Sequence, residues 1–276
     1  MSNQLTLKPE QIDHFLAYGH VVLRNCFSRE AAEEFVGDAY QQLGYDRNDP
    51  DTWEKPLVFM YPSFKPQLRD FAPKAWNAIC QLIGTEDRSA NPNCSVGQWV
   101  INFWRGKDQA WVSPSPQVEG WHVDGNFFRH FLDSPEQGLL VVPLFSDVGE
   151  RGGGTVLAAD SVPIIARFLA DHPEGVLTDE FDFAKLVSQC HDFRELTGSV
   201  GDVALVNPFL LHSFSQNHSG KPRFITNLCV SLKEPMDFDR ANPANFSPVE
   251  QAVLRGLGVP SLPFHSSAPH ERVPTA

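Results

Sequence analysis

The chain has 276 residues, 42% hydrophobic and 11% aromatic, with 21 Phe and 6 Trp, enough to fill a sizeable core and to exclude disorder over most of its length. Its formal charge of -12 repels polyanions, so nucleic acid and anionic membrane surfaces are poor partners and a small molecule suits the surface better. No run approaches the roughly 18 apolar residues of a membrane span, the first residues lack a signal-peptide pattern, and the 5 cysteines are scattered without a CxxC pair, so the expectation is a soluble protein of the reducing cytoplasm.

In chain order, Lys8 to Tyr18 carries Ile12, Phe15 and Leu16 on one stripe after Pro9, which predicts a short helix closed by Gly19. A small strand follows over His20 to Asn25, then a helix capped by Ser28 and continuing to about Leu43. Gly44 to about Pro73, rich in Pro, Asp and aromatic residues, reads as irregular, and Pro73 to Gly84 as an amphipathic helix. From Val96 to Trp104 the residues Trp99, Ile101 and Phe103 alternate with Gln98, Val100 and Asn102, the period of a strand. Further strands are predicted at Leu139 to Phe145, Thr155 to Ala158, Val203 to Val206 and Phe224 to Leu232, with one or two helices inserted over Ser161 to Gln189. Such strands, with few long helices between them, predict a mainly β sandwich or jelly roll with flanking helices. After Pro235 the chain is Pro-rich apart from a helix from Ser247 to Leu257, and the last dozen residues read as a loose tail. One catalytic domain over residues 1–276 is expected: a helical flank (1–94), a β core (95–233) and a C-terminal helix with its tail (234–276).

His122 and Asp124 lie two residues apart in Trp121-His122-Val123-Asp124-Gly125, so on extended backbone both side chains aim at one point. A third candidate ligand, His212, ends the apolar run Val203 to Leu211. Two His and one carboxylate on one face of a metal, with the other positions open, is the ligand set of non-haem Fe(II) oxygenases. Taken alone, the HxD triplet reads more readily as an ordinary surface His and Asp than as a metal site. Arg223 follows His212 by eleven residues at the start of a mostly apolar strand, where a guanidinium is costly unless it holds an anion such as a dicarboxylate, starts the strand in solvent or pairs with a nearby Asp.

Taken together, HxD, a strand, the Gly-rich turn Arg151 to Gly154, a second strand, then Gly201-Asp202-Val203 before a histidine with an arginine eleven residues later resemble the phytanoyl-CoA dioxygenase family. The opening Leu7 to Phe27, with Gly19-His20-Val21-Val22-Leu23 and the helix-starting Ser28, is also similar to that family, so the resemblance spans roughly residues 5 to 233. It implies a cupin-like double-stranded β-helix, Fe(II) bound by His122, Asp124 and His212, and 2-oxoglutarate held by Arg223, with Asn102 and Arg105 as further polar contacts. The implied reaction decarboxylates 2-oxoglutarate with O2 and oxidises a C–H bond of a small organic molecule. Asn217 matches an asparagine common in the family, in either a turn-forming or a catalytic role. Related halogenases have a small residue where this chain has Asp124, so hydroxylation or another oxidation begun by hydrogen abstraction is implied.

Two departures stand out. Phe214 occupies the place where many relatives carry a small hydroxyl residue, and Ala158-Ala159-Asp160-Ser161 replaces a Pro-Gly-Ser-His continuation. Trp121, Phe127 and Phe128, and Arg129 and His130, flank the metal motif as candidate substrate contacts or as core and surface residues; His218 lacks the familial spacing to Arg223. Two other classes remain open: a jelly roll that binds metal or ligand without turnover, and a non-redox isomerase or hydrolase using a divalent ion as Lewis acid. Arg223 counts against both. The sequence leaves the oligomeric state unread.

Overall fold

The computed structural model describes residues 6–273. Helix α1 (Pro9–Tyr18) leads into strand β1 (His20–Leu23), and α2 (Arg29–Leu43) follows. Strand β2 (Leu57–Met60), the one-turn α3 (Leu68–Phe71) and α4 (Pro73–Ile83) complete the N-terminal part. The β core holds β3 (Gln98–Asn102), β4 (Leu139–Pro143) and β5 (Thr155–Ala158), the helical insertion α5 (Val162–Ala170) and α6 (Phe183–Val187), then β6 (Phe193–Glu195), β7 (Val203–Val206), β8 (His212–Phe214) and β9 (Arg223–Val230). Helix α7 (Pro248–Leu257) lies near the C-terminus.

All strand pairs are antiparallel, in a six-stranded sheet ordered β1-β7-β4-β9-β3-β2 facing a three-stranded sheet ordered β6-β5-β8. This is the expected jelly-roll architecture. The alternation in β3 sorts its two faces. Trp99 meets Phe35, Phe145 and Phe224, and Phe103 meets Tyr40 and Phe224, in an aromatic layer between the large sheet and the N-terminal helices. Gln98 and Val100 face the space between the sheets. Fully burying each such aromatic contributes about 2–3 kcal/mol, so this layer fixes the outer face of the sheet while the inner face is left for a site.

Several elements depart from the sequence reading. The stretch read as irregular contains β2, whose Leu57-Val58-Phe59-Met60 is too short for a periodic signal and becomes a strand only by pairing with β3. Likewise, β6 and β8 span three residues each and exist through their pairing with β5. The tail, read as loose, is tied down among its described residues: Phe128 and Arg272 form a β-bridge, Val273 N–H donates to Phe127 O at 2.9 Å, and Ser267 N–H donates to Pro173 O at 2.7 Å. Residues 274–276 of that tail lie outside the described residues. The five cysteines are free, and no helix among the described residues is long and apolar enough to cross a membrane.

Helix α7 packs against α1, α4 and α5 and is anchored by one buried carboxylate. Glu250 is 0% exposed; it accepts from Arg88 at 2.6 and 3.1 Å and from the backbone N–H of Asp237 and Ser247, while Ser247 Oγ caps the helix in return. Burial raises its pKa, but the Arg88 guanidinium and these hydrogen bonds outweigh that and hold it below the usual carboxylate range. Glu250→Ala leaves the half-buried Arg88 unpaired and two backbone donors unmet, and is expected to cost about 3 kcal/mol or more in a urea unfolding experiment. A loss below about 1 kcal/mol would mean that α7 is held by its apolar face alone.

Candidate metal centre

His122, Asp124 and His212 converge although 88 residues of chain separate the last two. Residue 122 bridges to the free edge of β8: His122 N–H donates to His212 O and His212 N–H to His122 O, both at 3.0 Å. The two imidazoles therefore stand side by side, their ring centroids 4.3 Å apart. His122 Nδ1 lies 2.7 Å from Gly120 O and His212 Nδ1 lies 3.1 Å from Leu210 O. Carbonyl oxygens only accept, so each ring places its proton on Nδ1 and leaves Nε2 as a lone-pair donor. Both Nε2 atoms face Asp124, at 3.7 Å from Oδ1 for His122 and 3.6 Å from Oδ2 for His212.

One ligand atom from each residue lies within 4.8 Å of the others. Facial ligands at about 2.1 Å from a common ion sit about 3 Å apart, so a small contraction seats a divalent metal. The electrostatics suit it. Burial, reinforced by His212, pushes His122 down to about 4, which keeps that ring neutral. Burial pushes Asp124 up, but the two imidazoles and the Asn227 amide outweigh it and hold the carboxylate well below its usual range. His212 is raised, because the pull of Asp124 exceeds the opposing cost of burial. Directly after Asp124, Gly125 takes φ +114°, and a Cβ there would lie 2.1 Å from the Phe128 ring, so only glycine allows this turn.

The carboxylate is oriented by a residue that the sequence reading missed. Asn227 Nδ2 donates to Asp124 Oδ2 at 2.9 Å. Its position was legible in principle, since Arg223, Ile225 and Asn227 alternate along β9 and share one face.

A cavity of ≈ 170 Å³ opens at the three candidate ligands, lined also by Phe59, Gln98, Val100, Leu140, Val142, Thr155, Phe214, Ile225 and Asn227. Arg223 begins β9 on the same face as Ile225 and is 1% exposed. None of its three guanidinium nitrogens has a hydrogen-bond partner among the described residues. Burial lowers its pKa to about 9, opposed only by the field of Glu195, so it stays cationic at neutral pH. Of the alternatives open for Arg223, the structure removes the solvent-exposed start of a strand and the Asp partner.

The other candidates fall differently. Asn102 stands opposite Arg223 in the β3–β9 register, but its side chain donates to Ser215 O and accepts from Arg105 N–H, both at 3.0 Å, so it pins the end of β3. Asn217 Nδ2 donates to the carbonyls of Asn102 and Lys221, which is the turn-forming role. Arg105 sits with its guanidinium carbon 6.0 Å from the Phe214 ring, in a second cavity on that side. Trp121 packs on Phe193, Arg129 donates to Gly175 O, and His130 Nε2 lies 2.7 Å from Gly125 O, so these three serve the scaffold. Phe128 is buried against His130, and His218 is spent on Gly106 O. Phe214 lies against His122 with ring centroids 5.6 Å apart and interplanar angle 30°, and Phe59 meets it edge-on.

No protein-family model and no curated protein matches the sequence. Solved structures do match in fold. EctD from S. alaskensis with bound Fe aligns at TM-score 0.51 and 18% identity over 87% of this chain and 84% of that one. The non-heme alpha ketoglutarate dependent carbocyclase SnoK from nogalamycin biosynthesis gives 0.52 and 13% over 82% and 84%. The epimerase SnoN, in complex with Fe3+, alpha ketoglutarate and nogalamycin RO, gives 0.51 and 14% over 79% and 80%. At these identities the likeness is one of fold.

Proposed function

We propose that the chain is a non-haem Fe(II) oxygenase that uses 2-oxoglutarate and O2 to oxidise a C–H bond of a small organic molecule, as its resemblance to the phytanoyl-CoA dioxygenase family implies. The observation that carries this is the buried, unpartnered guanidinium of Arg223 on the strand face that leads to Asp124. A buried cation without a partner costs several kcal/mol unless an anion meets it. About 13 Å of strand separates residues 223 and 227 at 3.3 Å per residue, a gap that an arginine side chain and a five-carbon dicarboxylate fill together. The apolar Val100, Leu140, Val142 and Ile225 line that gap and suit methylene groups. The structural neighbours solved with bound iron or alpha ketoglutarate support the same pair of cofactors.

In this reading His122, Asp124 and His212 hold Fe(II), and Arg223 takes the distal carboxylate of 2-oxoglutarate through a two-pronged contact. Bound there, iron with 2-oxoglutarate and O2 supplies the oxidative decarboxylation to succinate and CO2 and the hydrogen abstraction. Asn227 fixes the orientation of the Asp124 carboxylate. Phe59 and Phe214 shield the iron side from water, and the helical flank, β core and α7 act as one catalytic unit. The acidic surface and free cysteines favour a small-molecule substrate and the cytoplasm. A non-redox Lewis-acid enzyme, or a binder without turnover, gives Arg223 no anion to hold.

Phe214 supplies no donor to the distal carboxylate, but Thr155 lies directly opposite it in the β5–β8 register, lines the same cavity and makes no hydrogen bond through its hydroxyl among the described residues. Thr155→Val is expected to weaken 2-oxoglutarate at least about ten-fold, the worth of one hydrogen bond to a charged group. The reading as a whole is tested by anaerobic titration of the apoprotein with Fe(II) and 2-oxoglutarate, followed through the weak visible charge-transfer band of the chelate. A band in wild type is expected. Its absence at saturating ligand, with iron bound, would overturn the oxoglutarate reading.

A further inference from the structure

The register of β3 against β9 sets three steps along the inner face of the sheet, of which the second and third line the cavity: Asn102 faces Arg223, Val100 faces Ile225, and Gln98 faces Asn227. If the proposed function holds, 2-oxoglutarate occupies the first two steps, between Arg223 and the metal. The third step, beside Asp124 and beyond the cosubstrate, is a pair of carboxamides. Gln98 and Asn227 both line the cavity. Directly opposed residues of an antiparallel pair hold their Cβ atoms about 5 Å apart, so the two amides form one continuous polar patch.

The orientation of Asn227 is determined. A carboxylate only accepts, so the amide group facing Asp124 at 2.9 Å is the Nδ2 donor and Oδ1 points the other way. That Oδ1 is buried and has no hydrogen-bond partner among the described residues. Gln98 makes no side-chain hydrogen bond among the described residues. An orphaned buried carbonyl costs about 1–3 kcal/mol, which a donor on a bound molecule recovers. Neither 2-oxoglutarate, an acceptor only, nor O2 offers that donor.

We propose that Gln98 and Asn227 form the substrate subsite and select a molecule with a neutral hydrogen-bonding group, an alcohol or an amide, close to the C–H bond that is oxidised. A plain alkyl chain leaves Asn227 Oδ1 unmet, and a carboxylate there meets both that oxygen and Asp124. The inference rests on the proposed function, and its test separates the two. Wild-type protein is loaded with Zn(II) and 2-oxoglutarate, and the dissociation constants of pentanamide, 1-pentanol and 1-fluoropentane are measured by ligand-observed NMR, alongside the variant Gln98→Leu.

The expected result is that the amide and the alcohol bind roughly five-fold more tightly than the fluoroalkane in wild type, a factor set by about one hydrogen bond. Gln98→Leu narrows that preference for the amide while its anaerobic Fe(II)/2-oxoglutarate band forms at the wild-type cosubstrate concentration. Undetectable or equal binding of amide, alcohol and fluoroalkane overturns the subsite, as does a preference that survives in Gln98→Leu. A band lost from Gln98→Leu but present in wild type overturns it too, because Gln98 then serves the cosubstrate. A band missing from wild type brings down the proposed function itself.

Discussion

Arg223→Met is expected to raise the dissociation constant for 2-oxoglutarate at least about 100-fold while leaving the metal-free protein as stable as wild type or more stable by about 1–3 kcal/mol. The two effects have one cause. Arg223 is buried with all three nitrogens unpartnered, so the empty site carries the desolvation cost of a cation. Methionine removes the charge and keeps most of the apolar stem, which relieves that cost and removes the anion's anchor together. Urea unfolding of apoprotein and anaerobic cosubstrate titration read the two halves separately. If the variant unfolds several kcal/mol more easily and still binds 2-oxoglutarate as wild type does, Arg223 is a structural residue, with Glu195 as the first partner to examine.

Asp124→Ala is expected to lower Fe(II) affinity by more than about 100-fold and to abolish turnover, with the far-ultraviolet circular dichroism unchanged. Two neutral imidazoles remain in that variant, without the one anionic ligand that balances the charge of a divalent ion. Asn227→Ala makes a graded comparison: the carboxylate stays but loses its 2.9 Å restraint, and a loss of about 10-fold is expected, in the range typical of residues that orient a ligand. Equilibrium dialysis with Fe(II) or Co(II) measures both. Wild-type affinity in Asp124→Ala would place any metal elsewhere.

Local patterns gave the longer helices, while the one-turn α3 lies in the stretch read as irregular. Ser28 and Gly19 sit at the helix ends where cap chemistry placed them, because an N-cap hydroxyl or a left-handed glycine acts within one turn and needs no distant partner. The longer strands were legible for a similar reason: alternation in Gln98 to Phe103 sorts residues between aromatic core and cavity without knowledge of the neighbouring strand. Strands β2, β6 and β8 were not, since three or four residues carry too little periodicity and their partners lie 39 to 45 residues away in β3, or 35 to 39 and 55 to 59 away in β5.

The site divides along the same line. By itself the sequence determined that His122 and Asp124 point the same way, since two residues of extended backbone fix it, and it marked Arg223 as a cation on an apolar strand. Only the tertiary structure decided that His212 bridges to residue 122, that Arg223 is buried without a partner, and that Asn227 holds Asp124 while Asn102 and Asn217 serve the backbone. It also turned a tail read as loose into a segment paired with Phe127 and Phe128. The physical reason is range: side-chain direction and capping are set by a few neighbouring dihedrals, whereas burial and hydrogen-bond partners depend on which distant strands the register brings face to face.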